Sequence, residues 1–231
     1  MLFRSLISQM AELQPTDVVL DAGSGPGFVA HTLAGAVRVT IGLDLSPEMV
    51  RLAYLKAPEG STRSIHATVG DIQLMPLERA AIDLVVCRWV MHHCADPSIA
   101  VAEMRRVCRD GGRLVICDTA APEDPDLAHQ MNEIEKLRDP THARNLSHSE
   151  WAALLGKFGF IVDVEERSRV HLEFCDWVER AATPAKHVRE LRRTFESPQD
   201  DLREAFKIRP EGSRIFFSWP VSVMRGRKRG G

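Results

Sequence analysis

The sequence is poor in the features that would mark several classes of protein. Its five cysteines lie singly, with no Cys-x-x-Cys spacing, so the pattern indicates neither a disulfide framework nor a metal site, and we expect no bound metal. The formal net charge is only -2, so no global field favours nucleic acid or an anionic membrane as a partner. No apolar run approaches the length that crosses a bilayer, and the first residues lack a signal-peptide pattern. We therefore expect a cytoplasmic protein without stable membrane insertion and without a nucleic-acid partner.

What the sequence does have is an alternation of strand-like and helix-like segments. A chain of 231 residues with 44% apolar side chains can bury one substantial core, so we expect a single domain over residues 1–231. The alternation is typical of βαβ units and of a parallel sheet with helices on both faces. The predicted strands of this part are residues 18–21, 39–44, 64–69, 82–87 and 113–118. The predicted helix N-caps are Ser46, Asp96, Asp124 and Ser147.

The most informative stretch is an apolar run that ends at Asp21 and leads into glycines at alternate positions, Gly23, Gly25 and Gly27. Glycine lets the backbone turn tightly and approach a ligand, because no Cβ blocks the way. The dinucleotide fingerprint G-x-G-x-x-G is not met, since Phe28 stands where its third glycine belongs. The turn therefore predicts a pocket for a nucleoside and disfavours a nicotinamide cofactor.

Two further acids end apolar runs after this turn. Asp44 ends the second predicted strand, and an acid at the tip of a neighbouring parallel strand accepts the two hydroxyls of a ribose. Ser46 then opens a helix in which Met49 faces back toward the ligand. Asp71 ends the third strand-like run. The residue preferences of ordinary turns would not by themselves place acids at the carboxyl ends of successive strands, so we favour a ligand site over ordinary turns.

Together these markers resemble the class I S-adenosylmethionine-dependent methyltransferases, in the small-molecule branch related to the ubiquinone and menaquinone C-methyltransferases. The resemblance covers residues 18–228. It implies that the glycine turn packs on the methionine part of S-adenosylmethionine, that Asp44 holds the ribose, and that Asp71 with Ile72 contacts the adenine. Arg88 is a candidate for the carboxylate of the cofactor. The expected cofactor-binding residues are Asp21, Gly23, Ser24, Gly25, Gly27, Asp44, Leu45, Met49, Asp71, Ile72 and Arg88.

The resemblance also sets the expected architecture of the second half of the chain. Late strands at residues 160–172 and 214–225 fit the antiparallel pair that closes a doubly wound, seven-stranded, mostly parallel sheet of the α/β class. The helices at about 120–158 and 174–207 are inserted between the later strands. We expect them to lie over the carboxyl ends of the strands as a lid for the methyl acceptor.

Methyl transfer from a sulfonium needs a general base only when the acceptor must lose a proton. Two loops offer one. His93 follows the fourth strand, where the family carries a recurrent histidine, and His142 lies in an Arg-Asp-Pro-Thr-His segment like one found in that small-molecule branch. The structural alternative for His93 is a loop histidine that is hydrogen-bonded to the backbone. The alternative for His142 is an ordinary surface turn built on Asp-Pro. Trp151 and Trp177 are either walls of an aromatic acceptor pocket or ordinary core.

We therefore expect an enzyme that transfers a methyl group from S-adenosylmethionine to a small-molecule acceptor, with C- and O-methylation both open. The fourth strand ends without the Asn/Asp-Pro-Pro-Tyr motif of enzymes that methylate nucleic-acid bases. Three alternatives stay open: a non-methylating enzyme that binds S-adenosylmethionine, such as a cyclase; an NAD(P)-dependent oxidoreductase; and a non-catalytic partner subunit. The sequence leaves the oligomeric state open, with a homodimer among the assemblies it allows.

Overall fold

The structure, a computed structural model, describes residues 2–57 and 65–230, and its centre is one sheet. The strands are β1 (Val18–Ala22), β2 (Val39–Asp44), β3 (Ile65–Val69), β4 (Ile82–Arg88), β5 (Cys108–Thr119), β6 (Phe160–Glu173), β7 (Arg209–Glu211) and β8 (Arg214–Lys228). Their order is β3-β2-β1-β4-β5-β8-β6, with β7 paired to β8. Strands β1 to β5 are parallel, and β8 is antiparallel to β5 and β6.

This topology confirms the predicted doubly wound, mostly parallel sheet with an antiparallel final pair. The three-residue strand β7 is an addition that sequence reasoning missed, because so short a segment carries no alternation. Strand β5 begins at Cys108, five residues before the prediction, and its pairing with β4 is interrupted by a register shift. Residue 64, predicted as the start of the third strand, lies outside the described residues.

The strand order reverses beside β1, and this reversal positions the site. From β1 the chain moves outward to β2 and β3, then returns to place β4 on the other side of β1. The register pairs Ala22 with Cys87, so the two strands end side by side. Open α/β sheets bind ligands in the crevice at such a reversal, outside the carboxyl ends of the strands. The glycine turn follows β1 at this edge, and Arg88 is the last residue of β4.

The four predicted polar N-caps, Ser46, Asp96, Asp124 and Ser147, begin their helices. The Ser46 hydroxyl accepts a hydrogen bond from the Met49 amide at 3.3 Å, and Ser147 forms a reciprocal capping box with Glu150. Among the described residues, no helix is long and apolar enough to span a bilayer. The helices are α1 (Leu2–Met10), α2 (Phe28–Leu33), α3 (Pro47–Leu55), α4 (Pro97–Val107), α5 (Pro125–Arg138), α6 (His148–Lys157), α7 (Phe174–Arg180), α8 (Ala185–Glu196) and α9 (Asp200–Phe206).

Over the part of the chain that the structure describes, the core has three parts, because both faces of the sheet are covered and the late helices add an aromatic layer. Along β1, Leu20 belongs to the layer beneath α4 and α6, whereas Val19 belongs to the opposite layer beneath α1 and α2. The third cluster joins α5, α7, α8 and α9 to the first half of β8. Its largest aromatic members are Phe174, Trp177, Phe195, Phe206, Phe217 and Trp219.

Candidate active site

The glycine turn after β1 is shaped by packing on one side and open on the other. All three glycines have left-handed φ values, between 52° and 83°. A Cβ at Gly23 would lie 2.3 Å from a methyl carbon of Val90, so that position is filled by the protein itself. A Cβ at Gly25 would meet no heavy atom within 4 Å among the described residues. The backbone at Gly25 is therefore open to a ligand.

Asp44, at the end of β2, ties this turn to the start of α3. Its Oδ2 accepts a hydrogen bond from the Gly25 amide at 2.7 Å, and its Oδ1 accepts one from the Ser46 amide at 2.9 Å. Each carboxylate oxygen has a second lone pair, so both oxygens retain capacity to accept a hydroxyl. Asp44 is half-buried at the rim of the crevice. The acid expected to hold a ribose thus also fixes the geometry of the glycine turn.

Asp21, in β1, and Ser24, between the first two glycines of the turn, are both buried. Asp21 is 1% exposed, and its Oδ2 accepts a hydrogen bond from the Ala30 amide at 3.0 Å. Burial raises the pKa of Asp21 to about 7, while the Ala30 amide and the charge of Arg88 oppose the rise and Asp44 adds to it. The buried hydroxyl of Ser24 has no hydrogen-bond partner among the described residues. A buried polar atom without a partner is a candidate ligand contact.

The third strand brings Asp71 and Ile72 to the same edge. The Gly70 amide donates to the Asp44 carbonyl at 3.0 Å, which places the end of β3 beside the end of β2. Asp71 accepts a hydrogen bond from the Gln73 amide at 2.8 Å, and Ile72 is buried. Leu45 and Leu74, on the adjoining loops, are 71% and 78% exposed. Leu74 is an exposed apolar side chain that sequence reasoning did not select.

A cavity of about 540 Å³ lies at the carboxyl ends of β4 and β5. Its size suits a small ligand, and aromatic rings and charged groups share its walls. A larger cavity, of about 620 Å³, lies against β6, β7 and β8, and none of the predicted site residues lines it. We assign the chemistry to the smaller cavity because it adjoins the strand ends. Its lining includes Arg88, Trp89, His92, Arg138, Trp177 and Trp219.

His92 is the best-anchored titratable group of this cavity. Its Nδ1 lies 2.6 Å from the Oδ1 of Asp118, which is 1% exposed near the end of β5. The Asp118 Oδ2 accepts a hydrogen bond from the His92 amide at 3.2 Å. Although burial lowers it, the Asp118 carboxylate raises the pKa of His92 above its usual value. The loop after β4 and the end of β5 thus form a histidine–aspartate pair.

His93 and His142, the histidines predicted as proton acceptors, flank His92. His93 also lines the cavity, with Nδ1 3.2 Å from the Thr141 carbonyl oxygen and 3.0 Å from the Thr141 hydroxyl. His142 is 4% exposed, and its Nε2 lies 2.9 Å from the Asn132 side-chain oxygen. Burial lowers the pKa of His142 to about 4, and His92 and His93 add to the effect. Both predicted histidines lie near the acceptor cavity, but only His93 is among its described lining residues.

Sequence reasoning missed Asp118 although a usable signal was present. Asp118 lies at the end of a strand, as Asp44 does, so the strand-end rule applied to β5 would have found it. Of the two predicted tryptophans, Trp177 both belongs to the third core cluster and lines the cavity with its 2% exposed surface. Trp151 belongs instead to the buried core between α6 and the sheet, as amphipathic helices place most aromatics.

A doubly wound sheet with a glycine turn after its first strand and acids after its second and third defines a class, the class I S-adenosylmethionine-dependent methyltransferases. The family described as a methyltransferase domain matches residues 20–116. YcgJ of Bacillus subtilis, an uncharacterized methyltransferase, is 30% identical over 226 residues, covering 97% of this chain and 89% of that protein. The chain belongs to the class I S-adenosylmethionine-dependent methyltransferase family.

Solved structures agree over the whole chain. The crystal structure of YcgJ has a TM-score of 0.93 and covers 99% of this chain and 98% of that one. The structure of a putative methyltransferase from Bacillus halodurans has a TM-score of 0.93 at 28% identity, covering 98% of this chain and 99% of that one.

A relative with a named activity is similar over about half of the chain. A demethylmenaquinone methyltransferase of Mycolicibacterium vanbaalenii is 29% identical over 131 residues, covering 57% of this chain and 54% of that protein.

Proposed function

We propose that the chain binds S-adenosylmethionine in the crevice beside β1 and transfers its methyl group to a small-molecule acceptor in the 540 Å³ cavity. The observation that carries the proposal is the open backbone at Gly25, held in place by the Asp44 carboxylate. The Ser24 hydroxyl within the turn, which has no partner among the described residues, also fits a polar ligand. When bound, S-adenosylmethionine supplies an electrophilic methyl group on a sulfonium.

The predicted residues at the strand ends are each assigned to a different part of the cofactor. We assign Asp44 to the ribose hydroxyls, and Asp71 with Ile72 to the adenine, beside the exposed Leu45. Arg88 is assigned to the carboxylate of the cofactor. Gly23, Gly27, Asp21 and Met49 act by shaping the turn and the start of α3. These assignments remain proposals that single substitutions test.

The acceptor end is formed by the inserted helices. Arg138 of α5 donates to the Trp177 carbonyl of α7 at 3.1 Å, and its guanidinium lies 5.1 Å from the Trp177 ring centroid. We propose that these helices cover the acceptor and exclude water, while one of the histidines at this end of the site, which include the predicted His93 and His142, accepts a proton where the acceptor must lose one. The similarity to a demethylmenaquinone methyltransferase supports a small-molecule acceptor. A cytoplasmic location and a homodimer are proposals of the same kind, tested by fractionation and by light scattering.

Calorimetric titration tests the cofactor assignment directly. We expect S-adenosylmethionine and S-adenosylhomocysteine to bind and NADH not to bind. Binding of NADH in place of S-adenosylmethionine would contradict the proposal. Transfer of a labelled methyl group to small acceptors then tests the reaction. Tight binding of S-adenosylmethionine with no transfer to any acceptor would favour the non-methylating alternative.

A further inference from the structure

The tautomer of His92 follows from its partner. A carboxylate only accepts hydrogen bonds, so the 2.6 Å contact with Asp118 places a proton on Nδ1 of His92. The second oxygen of Asp118 accepts from the His92 backbone, and Oδ1 also accepts from the Thr119 amide at 2.8 Å. The ring is thereby fixed in orientation. In the neutral state, Nε2 carries the lone pair, and it makes no hydrogen bond within the described residues.

The walls around this ring indicate the kind of acceptor. His92 lines the cavity together with the aromatic side chains of Trp89, Trp177 and Trp219, and the guanidinium of Arg138 is stacked over Trp177. Aromatic walls favour a flat ring, and Arg138, which is paired with Glu135 through Nη1 at 3.3 Å, adds to the lining a guanidinium that favours an oxygen gaining negative charge. A base facing such a space suits an acceptor whose reacting group is an ionisable hydroxyl on an aromatic ring.

We infer that His92 is the general base of the reaction, that it takes the hydroxyl proton of a phenol-type acceptor through Nε2, and that Asp118 is its positioning residue. The inference rests on the proposed function. The O–H bond of the acceptor breaks and its proton moves to Nε2. The oxygen lone pair forms the new O–C bond to the methyl group, while the electrons of the broken S–C bond stay on sulfur as a neutral thioether. The imidazolium that results is stabilised by the Asp118 carboxylate.

The charged groups around His92 determine how its activity depends on pH. Asp118 faces it from β5, and Glu135 and Arg138 face it from α5. The rings of His93 and His142 lie 4.2 Å and 5.8 Å away, centroid to centroid. Burial lowers the pKa of His92, but Asp118 and Glu135 outweigh it and the net shift is upward. Since the neutral ring is the base, turnover should rise with pH through a pKa above 6.5.

The two neighbouring histidines are less suited to the same role. His93 has its Nδ1 at the neutral Thr141 carbonyl, which raises the pKa of His93 by less than burial and the charge of His92 lower it. His142 is bonded to the Asn132 amide, also neutral, and its pKa of about 4 makes it a weak base. Within the described residues, only His92 of these three pairs with a carboxylate.

Nitrogen NMR of the histidine rings tests the dyad without an acceptor. In the protein saturated with S-adenosylhomocysteine, we expect His92 to be the Nδ1–H tautomer with a pKa above 6.5. Asp118→Asn should lower that pKa, because the stabilising charge is removed. An Nε2–H tautomer, or an unchanged pKa in Asp118→Asn, would overturn the inference. Thermal unfolding of each variant verifies that it is folded.

Kinetics test the base itself. Wild type, His92→Gln, His93→Gln and His142→Gln are compared for labelled methyl transfer to a panel of phenols and hydroquinols. His129→Gln, an exposed residue of α5, is the matched control. We expect His92→Gln alone to lose about a hundredfold or more in turnover, with unchanged affinity for S-adenosylmethionine. In Asp118→Asn, the rise of turnover with pH should move to lower pH.

The outcomes separate the inference from the proposed function. Failure of the wild type to bind S-adenosylmethionine would remove the proposed function, whatever His92 does. Normal binding and transfer in His92→Gln would leave the proposed function intact and overturn the inference. A loss confined to His93→Gln or His142→Gln would return the base role to the residue concerned.

Discussion

Asp44 shows how one residue serves both structure and binding. Asp44→Ala removes a carboxylate that holds the amides of Gly25 and Ser46 and that we assign to two ribose hydroxyls. Charge-assisted hydrogen bonds of this kind contribute roughly 1.5–3 kcal/mol each, so affinity for S-adenosylmethionine should fall tenfold or more by calorimetric titration. Asp126→Ala, an exposed acid in the first turn of α5, is the control. Unchanged affinity in Asp44→Ala would refute the ribose assignment.

Substitution of Gly25 can distinguish a loss of stability caused by a strained backbone from a loss of affinity caused by a blocked ligand. Gly25 and Gly212 have similar left-handed φ values, +52° and +62°, and a Cβ at either meets nothing within 4 Å among the described residues. Gly25→Ala and Gly212→Ala should therefore destabilise the fold equally, by about 1–2 kcal/mol. Only Gly25→Ala should weaken binding of S-adenosylmethionine. Equal affinities in the two variants would show that no ligand lies against Gly25.

The raised pKa of Asp21 predicts that the free energy of unfolding depends on pH. Its pKa is raised from 3.8 to about 7 by burial, so between these values the folded state holds a proton that the unfolded state releases. The contribution of protonated Asp21 to the free energy of unfolding is complete below about pH 4 and is lost as pH rises through 7. Asp21→Asn should abolish this loss, which should be on the order of a few kcal/mol by urea unfolding between pH 5 and 8. Parallel pH profiles for wild type and Asp21→Asn would contradict the shift.

Residue chemistry also explains why one side chain was missed. The sequence places His92 and His93 side by side in one loop, and nothing local distinguishes them. The distinction arises from Asp118, which is 26 positions later in the chain and reaches the loop only because β4 and β5 are paired. The acids at Asp44 and Asp71, by contrast, follow directly from strand ends, which the hydrophobic pattern locates.

At the scale of elements, strands and caps were predictable because each has a local cause. Strand β2 has the predicted bounds, Val39–Asp44, since its large apolar residues stand at alternate positions and the segment ends at an acid. The predicted N-caps Ser46, Asp96, Asp124 and Ser147 all accept hydrogen bonds from the first turns of their helices. The early start of β5 depends on pairing with β4, which no local pattern records, whereas the three residues of β7 form a hairpin with β8 around residues 212–213 and are too few to show a pattern.

The capping box of α6 gives a prediction at this scale. Ser147 accepts from the Glu150 amide at 3.3 Å and donates to Glu123 at 2.8 Å, so it also joins α6 to the segment before α5. Ser147→Ala should cost about 0.5–2 kcal/mol of unfolding free energy, measured in urea. Ser197→Ala, an exposed serine that follows α8, should change stability by less than about 0.5 kcal/mol. A loss no larger than this control's would mean that the box is not stabilising.

At the scale of the whole molecule, binding must stabilise the fold if the crevice is formed by elements that unfold together. The glycine turn, Asp44 and Asp71 follow three different strands, and they occupy one edge only in the folded sheet. A ligand bound there should therefore bind the folded chain alone. By linkage, S-adenosylhomocysteine at a hundred times its dissociation constant should add about 2.7 kcal/mol to the unfolding free energy.

For a chain of this size that gain corresponds to a rise of roughly 5–10 °C in the melting temperature. NADH at the same concentration should produce no shift, and Asp44→Ala should need a higher concentration of S-adenosylhomocysteine for the same rise. His92→Gln should respond as wild type does, because we place His92 at the acceptor and not at the cofactor. A shift with NADH, or none with S-adenosylhomocysteine in the wild type, would mean that the three strand ends do not form the cofactor site.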